Sequence, residues 1–208
     1  MDVFDAIHRR RAVRRYLPHQ IGRDDVYRIL DAANWAPSAM NRQQWEFLVV
    51  TGERVREMGE NFHAIAREYI QGRDSPEAPG SSPIADEELL RFALTYGGAP
   101  VVIVVLTDAA DAPNMRKANL ESASAAMENL LLAATALGFG TCWMTGPLQD
   151  ERALRTCLRI PDDKGIVAVT PLGFPDEVPP VKPRHGPGPR AERAVGGVTS
   201  GPAGICEA

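Results

Sequence analysis

Two stretches of the chain hold side chains whose types and spacing suit chemistry. The first is Arg9-Arg10-Arg11-Ala12-Val13-Arg14-Arg15-Tyr16, with five arginines in eight residues. Such a run is often a solvated basic face. Here Tyr16, Leu17 and Pro18 follow at once and should anchor it, and anchored guanidinium forks suit a phosphate or a polarised ring oxygen. The second stretch is Ala36-Pro37-Ser38-Ala39-Met40-Asn41-Arg42-Gln43-Gln44-Trp45-Glu46-Phe47. It reads either as an ordinary helix-to-strand loop or, with so many amides beside a buried strand, as a loop that recognises a planar, hydrogen-bonding heterocycle.

Other chemistries find little support. The cysteines Cys142, Cys157 and Cys206 form no CxxC pair, and the histidines His8, His19, His63 and His185 are too scattered for a metal motif. Cys142 reads as a small buried hydrophobe rather than a redox centre. No GxGxxG follows a strand and no GxxxxGK[ST] is present, while Gly138-Phe139-Gly140 sits where a long helix needs its C-terminal glycine. The formal charge is −4 with basic residues spread along the chain, which argues against nucleic acid or an anionic membrane as partner. The acidic start Met1-Asp2-Val3-Phe4-Asp5 is unlike a signal peptide, and the longest apolar run, Ala99 to Leu106, is far too short to span a bilayer. A cytoplasmic protein is expected.

The elements that must position these residues follow from periodicity. Asp2 should cap a first helix to about Arg10 with Val3, Ile7 and Phe4 buried, and a second helix fits Asp24 to Asn34. Strands are expected over Trp45–Val50, Pro100–Thr107, Thr141–Met144 and Ile166–Leu172. The second of these is β-branched throughout and so buried on both faces. Helices fit Glu53–Ile70, Glu87–Tyr96, Ala118–Leu137 and Asp150–Leu158, with a Gly, Pro and Ser-rich loop over Gly72–Pro83. The helix over Ala118–Leu137 is apolar almost all round and must be covered on every side, by its own domain or by a second subunit. Trp35 and Trp45 are expected in the core. One domain over residues 1–185 and an irregular tail over 186–208 account for the 208 residues.

Taken in order, these segments resemble the FMN-dependent nitroreductase family. The resemblance rests on RRxxRxY at Arg10–Tyr16, APSxxNxQxW at Ala36–Trp45 and Glu128-Asn129-Leu130-Leu131-Leu132-Ala133-Ala134 on the long helix. It rests also on Gly138-Phe139-Gly140-Thr141-Cys142-Trp143-Met144-Thr145-Gly146, and on Pro171-Leu172-Gly173-Phe174-Pro175 followed by Lys182-Pro183-Arg184. It spans about residues 3 to 185. It implies an α+β nitroreductase-like fold, with a mixed central sheet flanked by helices, working as a homodimer.

The resemblance also implies a site. Arg10, Arg11, Ala12 and Arg14 would hold FMN from one subunit, Arg10 near the phosphate and Arg14 nearer the pyrimidine and ribityl side. Lys182 and Arg184 would close on the phosphate, and Met144, Thr145 and Gly146 would bring backbone groups to the ring edge. Pro37, Ser38, Ala39 and Asn41 would line the flavin from the other subunit. Three departures stand out: Ala12 replaces a common serine, Gln44 replaces a common proline, which is expected to loosen the loop, and the tail after His185 lacks the family's usual ending, in which the C-terminus packs against the dimer. Glu128 and Asn129 either touch the flavin or satisfy one another; Phe62, Tyr69 and Tyr96 either contact substrate or pack. The chemistry would belong to the cofactor, so no protein nucleophile is needed.

The implied activity is a ping-pong NADH- or NADPH-driven reduction of a small molecule such as a nitroaromatic, quinone or activated alkene. Alternatives are an FMN oxidase or dehydrogenase resembling those that desaturate cyclic dipeptides, flavin fragmentation of the benzimidazole-forming kind, and a flavin-binding protein without turnover.

Overall fold

The computed structural model describes residues 1–72, 85–184, 192–193 and 199–200. Eight consecutive residues, Val101–Asp108, form strand β2, and all of them up to Thr107 are buried. A continuous apolar run in a strand has period-two side chains on both faces and needs a layer on each. That is what the molecule supplies. The odd-numbered Val101, Ile103 and Val105 join a core with Ile29 and Ala33 from helix α2 (Arg23–Asn34) and Met127, Leu130 and Leu131 from helix α5 (Pro113–Ala136). The even-numbered Val102, Val104 and Leu106 join a second core. Its partners are Met58 and Phe62 of α3 (Glu53–Gly72), Phe92 of α4 (Asp86–Thr95) and Leu154 of α6 (Glu151–Leu158).

β2 lies between β1 (Trp45–Thr51) and β4 (Lys164–Gly173), and β3 (Gly140–Thr141) adds beyond β4, giving the order β1-β2-β4-β3. Trp45 pairs with Thr107 and Val101 with Leu172, with a bulge between Val105 and Leu106. The ladders within this sheet are antiparallel. The mixed character expected from the sequence is confined, among the described residues, to an isolated parallel bridge between Ala12 and Thr141.

Helix α5 begins with Pro113 in its first turn, where the missing N–H costs nothing, and ends at Gly138, whose φ of +86° gives the left-handed turn that stops it. No helix among the described residues is long and apolar enough to cross a membrane.

Two expectations about burial are corrected. Helix α1 (Val3–Arg9) is capped by Asp2, whose Oδ1 accepts from the Asp5 amide, but it buries only Ala6; Val3, Phe4 and Ile7 are exposed. A helix seven residues long that docks through one small side chain leaves its larger apolar groups pointing outward. Trp35 is 82% exposed rather than buried. The face of α2 that meets α5 carries Ile29 and Ala33, and Trp35 follows Ala33 by two positions, about 200° further around the helix. Trp45 is buried as expected. The loop expected over Gly72–Pro83 lies outside the described residues except for Gly72, which ends α3. The rest of the tail expected over 186–208 lies outside the described residues; within it β5 (Glu192–Arg193) and β6 (Thr199–Ser200) pair antiparallel.

Candidate functional site

The basic segment is stitched across the end of the sheet. After α1 the Val13 amide donates to the Thr141 carbonyl at 2.9 Å, the Tyr16 amide to Gly97 O at 3.0 Å, and the Leu17 amide to Phe174 O at 2.9 Å. Val13 and Tyr16 are buried, and the Tyr16 hydroxyl donates to Val13 O at 2.7 Å. Burial pushes the Tyr16 phenol well above its usual pKa, so it remains a donor. Gly97 is the crossing point. With φ +70°, it passes so close that a Cβ there would lie 2.1 Å from the Arg14 carbonyl oxygen. With Val13 and Tyr16 turned into the protein, the arginines between and before them are held at fixed places along an anchored backbone.

These anchors open a cleft of about 560 Å³, a size ordinary for small-ligand sites. Arg10, Arg11, Ala12 and Arg14 line one side, Lys182 and Arg184 another, and Glu128 of α5 contributes a carboxylate. Arg10 Nε lies 3.9 Å from Glu128 Oε1. Partial burial raises the Glu128 carboxyl pKa, offset in part by Arg10. Arg11 spends part of its fork on structure: Nη1 donates to His8 O and Arg10 O at 2.7 Å each, tying off the end of α1. Among the described residues Arg14 Nη1 reaches Ala12 O alone, at 3.4 Å. Burial raises the Cys142 thiol pKa more than Arg14 and Arg10 lower it, so this cysteine stays a neutral, buried group beside the arginines. Arg15 turns away and pairs with Asp176 at 3.5 Å and Glu177 at 3.2 Å. Among the described residues, five cations against one carboxylate give the cleft a net positive charge, the chemistry that suits a multiply charged anion such as a phosphate monoester.

The sequence profile of the Nitroreductase family matches residues 7–174. The chain belongs to this family. It is 33% identical over 174 residues to an Archaeoglobus fulgidus protein provisionally named as an NADH dehydrogenase/NAD(P)H nitroreductase, covering 82% of this chain and 84% of that one. It is 29% identical over 192 residues to the iodotyrosine deiodinase of Thermotoga neapolitana, covering 88% and 94%. A crystal structure of a nitroreductase with bound FMN from Bacteroides fragilis superposes with a TM-score of 0.64 at 26% identity, covering 89% of this chain and 94% of that one. The α+β nitroreductase-like fold expected from the motifs is therefore the fold of this chain, and the chain is an oxidoreductase.

The residues expected at the site fall into three places. Arg10, Arg11, Ala12, Arg14, Lys182 and Arg184 come together in the cleft although the two basic runs are far apart in sequence. Pro37, Ser38, Ala39 and Asn41 do not line it; they sit on a loop clipped to the first half of α5. Ser122 Oγ accepts from the Ala39 amide at 3.1 Å, and Ser38 Oγ accepts from the Gln43 amide at 3.0 Å. Met40, Asn41 and Gln43 all have positive φ, a strained arrangement that surrounding contacts must hold. Gln44 supplies much of that hold. Its side chain is buried, and Nε2 donates to Asn119 Oδ1 at 2.9 Å and Ser122 Oγ at 3.3 Å. The loosening expected from a glutamine in place of proline is thus corrected: the amide ties the loop to α5.

Met144, Thr145 and Gly146 form the third place. The Met144 amide and carbonyl are both engaged with Val169 at 2.9 Å, Thr145 is exposed, and Gly146 packs against the Phe62 ring. Packing bears on the open alternatives. Glu128 faces the cleft, whereas Asn129 Nδ2 donates to Ala32 O, so the two do not satisfy one another. Phe62 and Tyr96 are buried with ring centroids 5.8 Å apart, packed on one another, whereas Tyr69 of α3 is half-buried. Sequence reading missed His8 and Val181, which also line the cleft, and Gly97, for which the Gly97-Gly98 pair was a usable signal.

Proposed function

We propose that the cleft binds the phosphate of FMN and that the protein is an NADH- or NADPH-driven reductase of small acceptors, working by a ping-pong cycle. The observation that carries this is the meeting of Arg10 and Arg14 with Lys182 and Arg184 around one cavity. Bound FMN would supply reversible two-electron chemistry. The protein's own residues supply charge and placement. Arg10 and Arg184 offer the forked, charge-assisted donors that a phosphate dianion needs. Arg14, further along the anchored segment, brings a fixed positive charge towards the ring, where it favours added negative charge electrostatically. Acceptors with a low-lying empty orbital, namely nitroaromatics, quinones and activated alkenes, are the substrate class.

Assembly as a homodimer belongs to this reading. Pro37, Ser38, Ala39 and Asn41 do not line the cleft of their own chain, and Val3, Phe4, Trp35 and Met40 expose apolar surface. In a symmetric pair that loop would complete the flavin site of the second copy. Unpaired Cys142 and Cys157 suit a reducing cytoplasm.

Acid release and chromatography of the flavin, followed by anaerobic addition of NADH or NADPH, test the proposal. FMN that bleaches rapidly with one of the nucleotides is the expected result. FAD, or FMN indifferent to both nucleotides, overturns it, the latter favouring an oxidase or a carrier. Light scattering that finds an FMN-loaded monomer would remove the dimer.

A further inference from the structure

Among the described residues that line the cationic cleft Glu128 is the one carboxylate, and a phosphate site has no need of it. An acid placed inside a receptor for a dianion opposes its ligand. It also occupies a particular cation, since Arg10 Nε is 3.9 Å from its Oε1. We propose that Glu128 is a built-in competitor for the phosphate at Arg10: binding of the phosphate breaks the Arg10–Glu128 pair, and Glu128 takes up a proton as it does so. This inference rests on the reading of the cleft as the FMN phosphate site.

The charged and titratable groups that share the cleft with Glu128 are His8 of α1, Arg10, Arg11 and Arg14 of the following segment, and Lys182 and Arg184 near the C-terminus. Neither α2 nor the sheet, which also pack on α5, contributes a charged side chain to its lining. Of those groups Arg10 forms the ion pair with Glu128. Arg11 is drawn away by the carbonyls of His8 and Arg10. Removing Arg10 to a phosphate therefore strips Glu128 of its counter-charge and puts two negative charges nearby instead. Its carboxyl already sits above the ordinary range because of partial burial, with Arg10 holding it down. Loss of that restraint moves it further up, towards neutrality.

The sign follows. With an ionised Glu128, phosphate binding is opposed; with a protonated one, it is not. Affinity must therefore rise as pH falls through the carboxyl pKa of the bound state, and level off below that of the free state. The phosphate titrates in the same region, so pH dependence of one protein proves nothing. Comparison with Glu128→Gln removes the phosphate's own contribution, because both proteins meet the same ligand.

The test titrates FMN and riboflavin into apo parent and apo Glu128→Gln from pH 5 to 8.5, with calorimetry in two buffers of different ionisation enthalpy. The variant is expected to bind FMN on the order of tenfold more tightly at pH 8, which is ~1.4 kcal/mol. The advantage should vanish towards pH 5, and the parent should take up more protons than the variant on binding FMN. Riboflavin, which lacks the phosphate, should bind the two proteins alike. Equal or weaker FMN binding by Glu128→Gln at pH 8 overturns the inference while leaving the flavin site intact. An equal gain for riboflavin also overturns it, since Glu128 would then oppose the ring rather than the phosphate. Failure of both proteins to bind FMN at any pH is the distinct failure of the underlying reading, and the inference falls with it.

Discussion

Replacing Gly97 by alanine should damage stability and cofactor site together, because this residue is where the basic segment is held against the body of the protein. Two costs add. An L-residue at φ +70° sits in the left-handed region, at about 1–2 kcal/mol. The new Cβ would stand 2.1 Å from the Arg14 carbonyl oxygen, where an ordinary contact begins near 3.4 Å, so backbone must move by roughly the difference. Overpacking of that kind costs about 1–3 kcal/mol. A total of about 2–5 kcal/mol corresponds to a fall in Tm of roughly 5–15 °C for a chain of this length. The movement must also stretch the 3.0 Å bond from the Tyr16 amide to Gly97 O, which fixes the position of Arg14. Thermal unfolding of apo Gly97→Ala, with FMN titration of the same sample, reads both effects. A Tm within about 2 °C of the parent and an unchanged FMN affinity would refute the claim that this crossing holds the site.

Three further outcomes follow from the same geometry. Arg10→Ala should lose FMN affinity by a factor of 30 or more in equilibrium titration, since loss of one member of a buried charge-assisted pair costs roughly 2–5 kcal/mol, whereas Arg15→Ala, whose charge pairs with Asp176 and Glu177 outside the cleft, should not; equal losses would mean a diffuse basic patch. Arg14→Ala should keep more of the cofactor but lower its midpoint potential, measured by dye equilibration, and an unchanged potential would place Arg14 away from the ring. Cys142, buried and with its thiol pushed above the usual pKa, should resist alkylation in the native protein at pH 7.5 and become reactive only in denaturant, as read by mass spectrometry.

What was legible in the sequence was what depends on local pattern. The unbroken β-branched run Val101 to Thr107 could only be a strand covered on both faces, and Gly138 could be read as the stop of the long helix from its place after an apolar stretch. The arginines of the first segment were visible as a run, and their meeting with Lys182 and Arg184 followed from family resemblance rather than from spacing. What was not legible depends on contacts between distant segments. Whether Phe4 and Ile7 are buried is decided by how a short helix docks through Ala6. Gln44 looked like the loss of a proline, because its partners Asn119 and Ser122 lie on a helix 75 and 78 residues away. The Gly97-Gly98 pair marked a turn, but that the backbone at Arg14 crosses Gly97 depends on a contact between distant segments.

The claim on which everything else depends is that the meeting of the two basic runs is a phosphate site. A crystal structure of the protein grown with FMN tests it directly. The phosphate is expected within hydrogen-bonding distance of Arg10 and of Lys182 or Arg184, with the Arg10–Glu128 pair parted and the ring extending past Arg14. A flavin phosphate bound elsewhere, with Arg10 still on Glu128, would contradict it.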